Sequence, residues 1–152
     1  MPELDYIAPA NPWQVGELEE LQRRSSLHWP AYREQLAAHA DAIAVDPAAI
    51  AAGQVRVAYD HNADTIGFSC TLPAGNGVFE LDGLFVDPLE LGLGVGRGLV
   101  EDVFAWVRRQ GGTAVTVVCG PETIAFYERL GFVRTGAAQT RFGPAHAMVA
   151  EL

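Results

Sequence analysis

Residues 92–98 read Gly-Leu-Gly-Val-Gly-Arg-Gly, with four glycines at alternate positions, between the apolar run at 78–86 and the strongest helical pattern in the chain. This stretch narrows what the chain can fold into. Glycines leave backbone N–H groups unshielded, and the first N–H groups of a helix have no partner within it while the helix dipole is positive there. A strand that enters such a turn and leaves as a helix suits phosphate. The alternative is a tight strand-to-helix turn that holds no ligand. Two phosphate motifs are excluded. A P-loop closes on Gly-Lys-Ser/Thr, and all ten basic residues of this chain are arginines. The dinucleotide pattern G-x-G-x-x-G fails because its last position falls on Arg97 or on Leu99.

The flanking patterns supply the elements. Tyr6-Ile7-Ala8 reads as a first strand, stopped by Pro9 and Pro12. A helix with Trp13, Leu18 and Leu21 on its apolar side follows, and Pro30 opens a second helix running to about Ile43. Asp46-Pro47 begins a short alanine-rich turn closed by Gly53. Val55, Val57 and Tyr59 alternate, a turn at residues 62–64 leads to a strand at 66–72, and a five-residue turn at 73–77 leads to the run 78–86. After the glycines, Val95, Leu99, Val100, Val103, Phe104 and Val107 form one stripe at helical spacing. Ala114 to Val118 reads as a continuously buried strand, residues 121–130 as a short helix closed by Gly131, and Phe132-Val133 and Ala147-Met148-Val149 as the last strands. The expected fold is α/β (α+β), a mixed, mostly antiparallel sheet flanked by helices in the order β-α-α-β-β-β-α-β-α-β-β. No repeat or linker divides the 152 residues, so one domain over 1–152 is expected.

Composition removes several function classes. Hydrophobic residues at 49% and charged residues at 19% exclude a disordered chain. Ten basic residues against 19 acidic ones, net −9 and scattered, argue against a nucleic-acid partner. No apolar run nears the roughly 20 residues of a membrane span, and the first residues lack a basic-then-apolar leader. No membrane association and a cytoplasmic location are expected. Cys70 and Cys119 fit no zinc spacing, and His28, His39, His61 and His146 are dispersed, so no metal is expected and the thiols read as buried and free.

The residues also carry a resemblance. Leu84-Phe85-Val86-Asp87-Pro88 followed by Gly92-x-Gly94-Val95-Gly96-x-x-Leu99 resembles the acetyl-CoA motif of the GNAT N-acetyltransferase superfamily. Phe126-Tyr127-Glu128-Arg129-Leu130-Gly131-Phe132 resembles that family's C-terminal signature, and the element order is the family's. The similarity covers essentially the whole chain. It implies transfer of an acetyl group from acetyl-CoA to a primary amine of a small molecule, peptide or protein, by direct attack in a ternary complex. It also allows a homodimer through the last strands.

By the same resemblance, Leu84, Phe85, Val86, Leu91, Gly92, Leu93, Gly94, Val95, Gly96, Arg97 and Phe126 are the candidate cofactor-binding positions. Tyr127 matches the proton donor to the departing thiolate, and a backbone N–H among residues 84–86 is the candidate donor to the thioester carbonyl. Glu80 lies where some members place a catalytic glutamate. Alternation puts Glu80 and Asp82 on one strand face with Leu84 and Val86, which makes Asp82 the alternative base or an amine anchor. Both acids could equally face solvent or pair with arginine. His28, Trp29 and Tyr32 are candidates for the acceptor pocket, or else cap the core. A cysteine nucleophile is disfavoured, since neither thiol has a sequence-adjacent histidine. Two positions depart from the family: Leu91 replaces the usual Arg or Gln, and Gly120 a common Asn. They motivate the alternative of a non-catalytic acyl-CoA-binding or regulatory module.

Overall fold

Two adjacent residues with positive φ, Asn76 at 56° and Gly77 at 77°, reverse the chain between its third and fourth strands in a two-residue turn. Such a turn matches the twist of the strands it joins. The expected five-residue turn at 73–77 is therefore shorter, because the strand before it continues through Pro73 to Gly75. The computed structural model describes residues 4–152, apart from the side chains of Ala31, Tyr32, Gln35 and Ala40.

Among the described residues seven strands form one sheet: β1 (Tyr6–Pro9), β2 (Val55–Tyr59), β3 (Thr65–Gly75), β4 (Val78–Val86), β5 (Ala114–Cys119), β6 (Val133–Thr140) and β7 (Gly143–Glu151). Their order is β1-β2-β3-β4-β5-β7-β6. β4 and β5 are parallel, while β1–β2, β2–β3, β5–β7 and β6–β7 are antiparallel. The helices are α1 (Val15–Leu27), α2 (Pro30–Ala38), α3 (Pro47–Ala51), α4 (Val95–Arg109) and α5 (Ile124–Arg129). The mixed, mostly antiparallel sheet with flanking helices is the expected fold class.

The chain divides into two compact units, Met1–Cys70 with Gly83–Leu99, and Thr71–Asp82 with Val100–Leu152. In the first, Val55, Val57, Tyr59 and Phe68 pack with Leu18 and Leu21 of α1, Val45, and Ala49 and Ile50 of α3. Ala58, Ile66 and Val86 form a second cluster with Val95 and Leu99 from the start of α4. Each buried aliphatic side chain contributes about 1.5–3 kcal/mol. In the second unit, Phe79 meets Trp106 edge-on at 5.6 Å, and Phe104 meets Phe132 at 5.7 Å.

Several boundaries differ from expectation. Trp13 is 79% exposed because Pro12–Gln14 form a 3-10 turn, out of phase with the stripe of α1. The second helix ends at Ala38 and a separate 3-10 turn covers Ala40–Ala42, so it does not reach Ile43. Val118 is exposed, so β5 is not buried throughout. β6 and β7 are longer than their apolar residues suggest, since small and polar residues carry most of the ladder. Phe132 lies just before β6, buried at 2%.

Candidate active site

The end of β4 leads into the glycine turn within the first unit. Among the described residues the ladder from β4 to β5 stops at Leu81↔Val117, while β4 runs on to Val86. The side chains of residues 84–86 are committed elsewhere. Leu84 and Val86 join the cluster with Val95 and Leu99, and Phe85 lies 5.1 Å from Phe68. What this segment can offer a ligand is its backbone.

Asp87 then caps a 3-10 turn at Pro88–Glu90 by accepting from the Leu89 N–H at 3.0 Å. Its other oxygen accepts from Arg24 of α1 at 3.2 Å, a half-exposed ion pair of at most about 1 kcal/mol. Gly92 and Gly94 have φ of 81° and 86°, the left-handed region that costs other L-residues about 1–2 kcal/mol. A Cβ added at either would meet nothing within 4 Å, so these glycines are there for backbone conformation and leave open space above the turn. The Val95 side chain is 1% exposed, which limits its contact with a ligand to the backbone N–H. Leu91 is 40% exposed, Leu93 and Gly96 are half-buried, and Arg97 is exposed at the first turn of α4. Open space, left-handed glycines and a helix N-terminus together fit a diphosphate.

On β4, Glu80 pairs in register with Thr116 of β5 and is half-buried, while Asp82 is exposed. Neither acid is sealed in the core, so neither carries the cost of a buried lone charge.

In the second unit, Tyr127 is 6% exposed on α5, with Phe126 at 5.0 Å and Phe132 at 5.2 Å, both edge-on. Its carbonyl accepts from the N–H groups of Leu130 and Phe132, and Gly131 takes φ of 97° to close the helix. Burial, and then the neighbouring Cys119 thiol, push the Tyr127 hydroxyl above the usual tyrosine range. A phenol with a raised pKa stays protonated at neutral pH and is a weaker acid than a free tyrosine. Burial also pushes the Cys119 thiol up; the Thr123 hydroxyl opposes this and the Glu122 charge adds to it. Cys119 donates to the Met148 sulfur at 3.7 Å, and the β5–β7 register sets His146 opposite it. A thiol kept protonated is an inert packing group. Position 120 is also occupied in another way. A Cβ there would lie 2.6 Å and 2.9 Å from the Glu122 carboxylate oxygens, so Glu122 takes the space an asparagine would fill.

His28 caps the end of α1, exposed, with its ring edge-on to half-buried Trp29 at 5.3 Å. Tyr32 lies on α2 and its side chain is outside the described residues. Sequence reasoning missed Glu90, a buried acid between two leucines, because one residue out of pattern gives no periodic signal. It also missed the proximity of Cys119 to Tyr127, for which the only signal was Cys119 at the end of the strand leading to that helix.

The sheet is mixed, and its central strand runs into a glycine turn and a long helix. The model of the acetyltransferase (GNAT) family matches residues 13–132, and the chain belongs to that family. Solved structures share the fold. A GCN5-related N-acetyltransferase from Rhodopseudomonas palustris is 18% identical, with 100% of this chain and 98% of that one covered and a TM-score of 0.76. A PaiA N-acetyltransferase from Thermoplasma acidophilum, solved in complex with coenzyme A, is 16% identical over 97% and 98% of the chains, also with a TM-score of 0.76. Nourseothricin acetyltransferase is 23% identical with a TM-score of 0.58, and the match spans 64% of each chain. No curated protein sequence matches the chain.

Proposed function

We propose that this acetyltransferase-family chain uses acetyl-CoA to acetylate a primary amine by direct attack in a ternary complex. The observation that carries the reading is the turn at residues 91–94. Its two left-handed glycines open onto free space directly ahead of α4, in a chain of this family. The backbone N–H groups of residues 92–96 would hold the diphosphate, and those of residues 84–86 the pantetheine arm and thioester carbonyl. Acetyl-CoA supplies the activated acyl group. Phe126 is a further proposed cofactor contact. An amine has a pKa near 10, so a base must take its proton before attack; Glu80, through water, is that base, with Asp82 as the alternative or as an anchor for the ammonium. Tyr127, held on α5 between Phe126 and Phe132, gives its proton to the departing thiolate. His28 and Trp29 would line the acceptor side. Attack by a Cys119 thiolate is disfavoured by the raised pKa of that thiol. A homodimer through β6, exposed at residues 133–137 on the sheet edge, completes the reading.

The test is thiol release from acetyl-CoA across a panel of amines, with coenzyme A binding followed by calorimetry. Release that needs an amine and slows in Glu80→Gln supports the proposal, whereas absence of coenzyme A binding removes it. The second reading, a non-catalytic acyl-CoA-binding module, is favoured by exposed Leu91 and by Glu122 filling the space at Gly120. Coenzyme A binding without turnover on any amine would select it.

A further inference from the structure

The 3-10 turn between β4 and the glycine turn buries an acid and exposes a leucine. Glu90 is 8% exposed, while Leu89 beside it is 86% exposed, the reverse of what hydrophobicity favours. The Oε2 atom of Glu90 is sealed from solvent and has no hydrogen-bond partner. Two other acids approach it and their donors are already committed. Asp87 accepts from Leu89 N–H and from Arg24 of α1. Asp60, at the end of β2, accepts through one oxygen from the N–H groups of Asn62 and Asp64. Charging a carboxyl with one oxygen sealed and unpartnered, beside two carboxylates, is costly. Burial first, then Asp87 and Asp60, raise its pKa above the ordinary 4.5.

The backbone links this group to the ligand turn. The Glu90 N–H donates to the Asp87 carbonyl at 2.8 Å, and the Glu90 carbonyl accepts from the Leu93 N–H at 3.3 Å. A movement of residue 90 is therefore passed to residue 93, between the two left-handed glycines.

We infer that Glu90 is a pH-sensitive latch beneath the glycine turn: buried and uncharged, it holds the turn in its binding shape, and once ionised it moves toward solvent and the turn loosens. Loss of acyl-CoA affinity on ionisation rests on the function proposed above; the latch itself does not. The sign follows from the raised native pKa. The native state keeps a proton that the unfolded chain has given up, so stability falls as pH rises from the ordinary glutamate range through the native value. If ionisation leaves about a tenth of the molecules latched, coenzyme A affinity drops about tenfold.

The experiment compares the wild-type chain with Glu90→Gln and Asp60→Asn at pH values from about 5 to about 9, a span reaching well above the ordinary carboxylate pKa. Unfolding midpoints of the free proteins and coenzyme A affinities by calorimetry are measured in the same buffers. The wild-type chain should lose stability relative to Glu90→Gln as pH rises, and Asp60→Asn should show a smaller fall. Coenzyme A affinity should weaken with pH more in the wild type than in Glu90→Gln; the titration of coenzyme A itself is common to both and cancels. Parallel stability curves for the wild type and Glu90→Gln would overturn the latch, as would identical pH profiles of coenzyme A affinity. If coenzyme A bound neither protein, the acyl-CoA reading would fall, and the stability difference would still support the latch. Should Glu90→Gln not fold, the pH dependence of Asp60→Asn against the wild type decides.

Discussion

The glycine turn ahead of α4 and the aromatic cluster around α5 arrive at chemistry from opposite directions. The first removes side chains: Gly92 and Gly94 take conformations that other residues resist, and what remains is exposed backbone. The second adds them: Phe126, Phe132 and Cys119 crowd Tyr127 until its hydroxyl is held protonated. A site made of backbone depends on φ and tolerates many changes of neighbouring side chain. A site made of a buried phenol depends on packing, so its chemistry and its stability are harder to separate.

Substitutions in each region test that contrast. Phe132→Ala should have the largest effect, about 3–5 kcal/mol of lost stability, because it empties a nearly fully buried ring site. Chemical denaturation measures it, and a loss below about 1 kcal/mol would show that the cluster does not depend on packing. Tyr127→Phe keeps the ring and removes the proposed proton donor. It should cost about a hundredfold in kcat, roughly 2.7 kcal/mol, with little change in coenzyme A affinity. Equal loss in kcat and affinity would mean that the hydroxyl binds and does not transfer a proton. Gly94→Ala adds one methyl where no atom lies within 4 Å, so conformational strain of about 1–2 kcal/mol is all that it introduces. Coenzyme A binding should fall about five- to thirtyfold; unchanged binding would refute a cradle that depends on φ. Leu91→Arg, on an exposed site, should tighten coenzyme A about fivefold, and this gain should shrink in high salt.

The sequence showed these two regions unequally. The glycine turn was visible because its residues are chosen for conformation, and conformation is written locally. The stripe of α4 and its stop at Gly111 were legible for the same reason. The Tyr127 environment was visible as a motif, but the thiol at its side and Glu122 over Gly120 were not, since strand pairing and a turn bring them together. Glu90 was hidden for another reason. Its burial contradicts its chemistry, and a reading of polarity places such a residue on the surface. Trp13 erred the other way, apolar and in step with a helix but carried outward by a 3-10 turn.

One topological detail bears on how the molecule is made. β7 lies between β5 and β6, antiparallel to both, although it follows both in the chain. Before residues 143–151 are made, the β7-facing edge of β5 is open. The second unit therefore closes its sheet only when the hairpin of β6 and β7 lays β7 alongside β5, and until then the edge of β5 is open to wrong partners.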